Sequence, residues 1–262
     1  MKSKGMGAVR CPIDPRDRGF ASLGLGDEGD PELTSDLTRF VRLVRDQKAT
    51  STCGGQAFSG AIDVVTAQSK HAEDYGPASA LFIYYLGIRK WAEMLGIPVS
   101  DDGIDARTCA QVLSKQGCCD DAKWPFDPNK VLKSPSWNAI FGAASRAGCS
   151  YGFIRDEGEK RLGGLAAALN AGFPVVVGLD ISDEFVWTDG TTPISKPGMK
   201  IIGRHFVTLI GRELKPGRFK FVNSWGKDYG KNGFGWLADD YVDSVYCWDP
   251  CVIYGFDRAR ER

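Results

Sequence analysis

Residues 78 to 95 constrain the architecture of this chain more than any other stretch. Leu81, Phe82, Tyr85, Ile88, Trp91, Ala92 and Leu95 recur at helical spacing but wrap more than one face. A helix that is apolar on several sides must be enclosed by neighbours, so this one is predicted to be core. Gly96-Ile97-Pro98 ends it. A chain of 262 residues is long enough to supply the surrounding layers, as one large domain or as two lobes.

The flanking patterns fill in those layers. Asp36 to Val44 alternates polar and apolar residues and is predicted to be a short strand or extended segment. A helix is predicted from Cys53, with Ser51 or Thr52 as its cap, and another from Ala106 to Gln116, stopped by Gly117. The second half changes character. After a helix around Gly164 to Asn170, short apolar runs at 175–179, 206–210, 219–223 and 252–256 are predicted to be strands, with Lys227 to Gly235 as a glycine-rich loop. Helices first and strands later predict an α+β protein with two lobes. The expected division is a loop-rich extension over 1–35, with Leu23 to Pro31 as loop, a mainly helical lobe over 36–130 and a β-rich lobe over 131–262.

Acidic and basic side chains cancel at 33 each, so no net field points to nucleic acid or an anionic membrane. The first residues carry no apolar leader, and the longest apolar stretch is too short to span a bilayer. The expectation is a soluble, cytoplasmic monomer. The eight cysteines are expected to be mostly free thiols, and the spacing of Cys118-Cys119 and Cys247/Cys251 argues against a structural zinc.

Chemistry concentrates in a few places. Cys53 follows Gln47 and a Thr/Ser run and sits where a helix begins; unsatisfied N–H groups and the dipole end there favour a thiolate. Taken alone, a buried structural Cys fits as well. The chain has only two histidines. His71 lies in a polar stretch and is predicted to be on the surface. His205 enters an apolar strand after Gly203-Arg204, where its ring can be fixed at a lobe boundary, although a structural histidine would look the same. Further on, Asn223-Ser224-Trp225-Gly226 couples an amide that can orient an imidazole to an indole that can shield the contact.

Taken in order, Gln47, Cys53, Gly203-Arg204-His205 and Asn223-Ser224-Trp225-Gly226 resemble the papain-like cysteine peptidases. Ser79 to Tyr85, Asp102 to Arg107, Trp124-Pro125-Phe126 and Pro174 to Gly178 resemble the landmarks of bacterial and archaeal members, so the likeness runs over roughly residues 36 to 242. The resemblance implies a papain-like two-lobe fold, a helical lobe against an antiparallel β-barrel-like lobe, with the active site in the cleft between them. It implies a peptide or protein substrate and no cofactor or metal. Cys53 would be the nucleophile, His205 the acid/base, Asn223 its orienting partner, and Gln47 with the Cys53 backbone N–H the oxyanion donors. Gly103 would pair with an extended substrate, Trp225 would shield His205–Asn223, and Phe206 would wall a substrate pocket or turn inward as core.

Departures from the family pattern motivate a second reading, a non-catalytic binding module or an acyl transferase or ligase. Gly54-Gly55 after the nucleophile predicts a loose helix start, and Arg204 beside His205 predicts a weakened imidazolium unless a carboxylate neutralises it. The segment before Cys53 is unlike the helical inhibitory propeptide of the family, so an active enzyme is expected to need another restraint, such as restricted specificity or an occluding N-terminal loop.

Overall fold

The computed structural model describes residues 4–20, 34–198 and 200–255; the loop expected over Leu23 to Pro31 lies outside them. The first lobe is built on α1 (Cys53–Ala67), α2 (Ala80–Leu95) and α3 (Ala106–Lys115), joined by the short α4 (Trp137–Ala143). The α2 helix is the enclosed element that its pattern requires. Leu81, Phe82, Ile83 and Tyr84 are all buried, the Ser79 hydroxyl accepts from the Phe82 N–H at its start, and Gly96 closes it in a left-handed conformation. Its exposed end, Met94 and Leu95, lies in the last turn.

The second lobe is an antiparallel sheet. Its path is β4 (Ser150–Phe153), β9 (Cys247–Tyr254), β5 (Val175–Ile181), β6 (Gly203–Glu213), β7 (Arg218–Val222) and β8 (Phe234–Ala238), with β2 (Ser35–Asp36) also paired to β6. Central β5 is buried along its whole length, as its uninterrupted apolar run demands, while β7 and β8 alternate buried and half-buried positions. Helix α5 (Glu159–Asn170) and the single turns α6 (Asp183–Val186) and α7 (Asp239–Val242) complete the lobe. The segment predicted to be extended over 36–44 instead passes through a 3₁₀ turn at Thr38–Phe40.

One apolar cluster holds Phe58, Ile62, Leu81 and Leu113, the other Leu179, Leu209, Phe221 and Leu237. Helix α1 lies between them, supplying Ile62 to the first and Val64 to the second. The Thr208 hydroxyl on β6 donates to the Ala57 carbonyl of α1 at 2.9 Å, tying helix to sheet where both carry functional residues. A second join is backbone only. Gln47 N–H donates to Ser224 C=O at 2.8 Å and Gly226 N–H to Arg45 C=O at 2.8 Å, so the segments around Gln47 and Asn223 form one short ladder. Beneath it Arg45 pairs with Asp63 of α1 at 2.6 Å, both buried.

The N-terminal residues do not stand apart. Strand β1 (Ala8–Val9) pairs in parallel with β3 (Ile104–Asp105), and Phe20 is buried in the sheet lobe. No helix among the described residues is long and apolar enough to cross a membrane.

Candidate active site

Cys53 is the first residue of α1, as the sequence predicts, with Thr52 at the N-cap position. The Thr52 hydroxyl makes no capping bond; it lies 2.8 Å from the Thr50 hydroxyl and accepts from Gln56 Nε2 at 3.3 Å, leaving the helix-end N–H groups uncommitted to a cap. The glycines that follow do not loosen this turn. A Cβ on Gly54 would lie 2.7 Å from Ile104 Cγ2, and one on Gly55 would lie 2.4 Å from the Ala80 carbonyl. Close packing of α1 on α2 and β3 therefore requires glycine at both, and the packing offsets the propensity cost.

His205 on β6 is fully buried, and its Nε2 lies 2.7 Å from Asn223 Oδ1. The Ser224 N–H also donates to that oxygen at 2.7 Å, which fixes the amide with its carbonyl toward the imidazole. His205 Nε2 is thus the protonated nitrogen, and Nδ1 has no hydrogen-bond partner among the described residues. Trp225 covers the contact, its ring centroid 4.5 Å from that of His205. Phe185 packs edge-on to His205 at 6.0 Å and to Trp225 at 5.6 Å. The Tyr229 hydroxyl donates to the Phe185 carbonyl at 2.9 Å and holds this aromatic wall in place.

Gln47 is oriented from the other lobe. Its Oε1 accepts from the Ser224 hydroxyl at 2.6 Å, and its Nε2 donates to Thr50 C=O at 2.8 Å, so the second amide hydrogen is left for a ligand. Gly103 has φ of 98°, which only glycine adopts easily, and its N–H donates to Tyr84 Oη at 3.1 Å. Phe206 is turned inward, fully buried, against the Trp248 ring at 5.4 Å. Arg204 has the carboxylate that it needs: Asp180 lies 3.2 Å from its Nε.

Residues 4–11 run through this cleft as a strap. Gly5 N–H donates to Lys48 C=O at 3.0 Å, Trp225 Nε1 donates to Gly5 C=O at 3.2 Å, and Ile104 N–H donates to Gly7 C=O at 2.9 Å. Both Cys53 and His205 have no exposed surface. Burial pushes the Cys53 thiol up to about 11, and nearby backbone N–H groups act in the opposite direction. Burial likewise pushes His205 down to about 4, with the Asn223 contact acting in the opposite direction. The thiolate expected at the helix start is thus disfavoured while the strap is seated, because desolvation outweighs the helix end. All eight cysteines are free thiols, and among the described residues no group of three or more His, Cys, Asp or Glu side chains is placed to hold a metal ion.

Sequence reasoning singles out Gln47, Cys53, His205, Asn223 and Trp225; the structure joins His205 to Asn223 and Trp225, and Gln47 to Ser224 next to Asn223, while Cys53 at the start of α1 makes no hydrogen bond to His205 Nδ1. Sequence reasoning assigns no role to Ser224, Tyr229 or Asp180, and it raises an occluding N-terminal loop only as one of two restraints, without naming the residues of the strap. Ser224 was open to discovery, since a hydroxyl next to the orienting amide is a natural partner for a second one.

The sequence matches no protein-family model. It is 28% identical over 247 residues, 85% of this chain and 77% of the relative, to an uncharacterized peptidase C1-like protein of Acanthamoeba polyphaga mimivirus. The structure is similar to xylellain, a cysteine protease from Xylella fastidiosa, with a TM-score of 0.80 and 25% identity over 97% of both chains. It also resembles procathepsin L2 of Tenebrio molitor, with a TM-score of 0.73 and 17% identity over 96% of this chain and 78% of that one. For procathepsin B S9 of Trypanosoma congolense the TM-score is 0.70, with 14% identity over 96% and 86% of the two chains. The last two likenesses speak for the fold alone. The fold is papain-like, a helical lobe and an antiparallel sheet lobe with a cleft between them.

Proposed function

We propose that this papain-like chain is a cysteine peptidase in which Cys53 is the nucleophile and His205 the acid/base. The observation that carries this reading is the buried His205–Asn223 contact of 2.7 Å beneath Trp225. It holds the imidazole with Nε2 protonated and Nδ1 available, the tautomer that a general base needs. In the reaction Nδ1 takes the thiol proton as Cys53 sulfur adds to the peptide carbonyl carbon. The Cys53 backbone N–H and the free hydrogen of Gln47 Nε2 meet the oxyanion, and Nδ1 returns the proton to the departing amine. Water, deprotonated by the same nitrogen, then releases the acid from the thioester.

The strap supports a dormant ground state for this chemistry. Beneath it Cys53 and His205 have no exposed surface, so a peptide reaches the thiol only when the strap moves. The two neutral partners become a thiolate–imidazolium pair once the strap lifts and water reaches them. The test is modification of the full chain by a peptidyl epoxide, with adducts mapped by mass spectrometry. Preferential labelling of Cys53, lost in His205→Ala, is the expected result; labelling of Cys53 that is indifferent to His205 would sink the assignment.

A further inference from the structure

The strap ends in a contact that has the form of a recognition site. Arg10 Nη2 donates to Asp180 Oδ2 at 2.6 Å and to Val245 C=O at 3.0 Å, while its guanidinium carbon stands 5.3 Å from the centroid of the Trp248 ring. A carboxylate, a backbone carbonyl and an indole face thus line one side of a planar cation whose side chain is 43% exposed. Each wall is built by the fold and not by the strap. Asp180 is only 9% exposed, and its other oxygen is already engaged by Arg204 Nε at 3.2 Å and by Trp248 Nε1 at 3.3 Å. Trp248 can stand there because residue 178 is glycine: a Cβ on it would lie 2.2 Å from the indole.

The placement relative to the thiol matters equally. Arg10 follows Ala8–Val9, which is paired with β3, and that strand pair follows Gly7, which packs against Ser51 two residues before Cys53. At about 3.3 Å per residue, an extended chain carries the Arg10 position about 10 Å on from Gly7. A peptide that displaces the strap and lies along β3 passes the same walls. Unless it brings a cation, it leaves Asp180 Oδ2 without the charged partner that Arg10 supplies in the resting protein.

We propose that Asp180, Trp248 and the Val245 carbonyl form a specificity subsite for an arginine side chain of the peptide substrate, occupied in the resting protein by its own Arg10. The proposal rests on the peptidase reading above. Arginine is favoured over lysine because a flat guanidinium can lie on the indole while donating in its plane to two acceptors, whereas an ammonium is a point charge.

The test uses the full chain carrying Arg10→Ala, assayed with quenched-fluorescent hexapeptides in which Arg, Lys or norleucine is moved through each position. At one position Arg is expected to give kcat/KM at least ~10-fold above norleucine, with Lys between them, and Asp180→Asn is expected to reduce that ratio below ~3-fold. A ratio is the right readout, because Asp180 also neutralises Arg204 beside His205 and its loss changes turnover of every peptide. Trp248→Leu provides a second route to the same loss of Arg preference if Asp180→Asn does not fold. In parallel, a full chain carrying Cys53→Ala and Arg10→Ala is titrated with the labelled Arg and norleucine peptides by fluorescence anisotropy. Arg-selective binding without turnover of any peptide supports the subsite and overturns the peptidase reading. Turnover with no Arg preference, or a preference unchanged by both subsite variants, overturns the subsite and leaves Arg10 a purely intramolecular latch. Neither binding nor turnover overturns both.

Discussion

Replacing Gly5 and Gly7 together by alanine would unseat the strap while leaving the sequence of the residues beneath it unchanged. A Cβ on Gly5 would fall 2.0 Å from the Thr50 carbonyl oxygen, and one on Gly7 would fall 2.2 Å from the Ser51 carbonyl oxygen. Both obstacles are backbone of the loop that leads into α1, so the strap must move. The bonds lost are Gly5 N–H to Lys48 C=O, Trp225 Nε1 to Gly5 C=O and Ile104 N–H to Gly7 C=O. At a net value of about 1 kcal/mol each, their sum is about 3 kcal/mol, which raises the open fraction by roughly 10²-fold. Arg10–Asp180 and buried Phe20 remain as anchors, so the segment pivots and stays attached. The assay is the second-order rate of Cys53 alkylation by iodoacetamide at neutral pH. That rate follows the open population as long as opening and closing outpace labelling. A rate within about threefold of the parent protein, with an unchanged far-UV circular dichroism spectrum, would refute the view that the strap gates the thiol.

Other consequences are equally open to measurement. Tyr229→Phe leaves the buried Phe185 carbonyl unpaired and loosens the wall behind His205, so stability should fall by about 1–3 kcal/mol in urea and kcat should fall more than KM changes. Ser224→Ala frees the Gln47 amide to turn; kcat should drop by about tenfold or more while substrate binding holds, within the range for weakening one oxyanion donor. Asp63→Ala strands Arg45 in the interior and should cost about 3–5 kcal/mol by chemical denaturation. For pH, the folded His205 titrates at about 4 against 6.5 for an unperturbed imidazole, so the unfolded chain takes up the proton first. This contribution is intact above pH 6.5 and is lost as pH falls towards 4, by about 3 kcal/mol in all. The difference in stability between pH 7 and pH 4 should shrink by that amount in His205→Gln, and an unchanged difference would contradict the buried neutral imidazole.

What was legible in the sequence was whatever short-range pattern encodes. The all-round apolar face of α2, the continuous run of β5 and the His205 and Asn223 motifs each carry their meaning locally, and the structure encloses α2 and β5 and joins His205 to Asn223. Gly54-Gly55 was misjudged because helix propensity describes an isolated turn, whereas here Ile104 and the Ala80 carbonyl leave no room for side chains. An occluding N-terminal loop is among the restraints the sequence suggests, but which residues dock is not legible, for a different reason. Residues 4–9 have no periodicity, and they dock through backbone hydrogen bonds and missing Cβ atoms, which composition does not register. Asp180 was hidden as one acidic residue ending an apolar strand, its meaning supplied only by Arg10, Arg204 and Trp248 arriving from three other parts of the chain.

The parallel pairing of β1 with β3 has a consequence for the released protein as a solute. Among the described residues β3 has no other strand partner, so lifting the strap bares the short backbone edge of Ile104–Asp105 beside an apolar lobe. Such an edge accepts any extended chain, including the loosened terminus of a second molecule. The segment that keeps the thiol silent is therefore also the cap that keeps copies of the protein from adding to one another, and opening should make self-association depend on concentration wherever substrate is scarce.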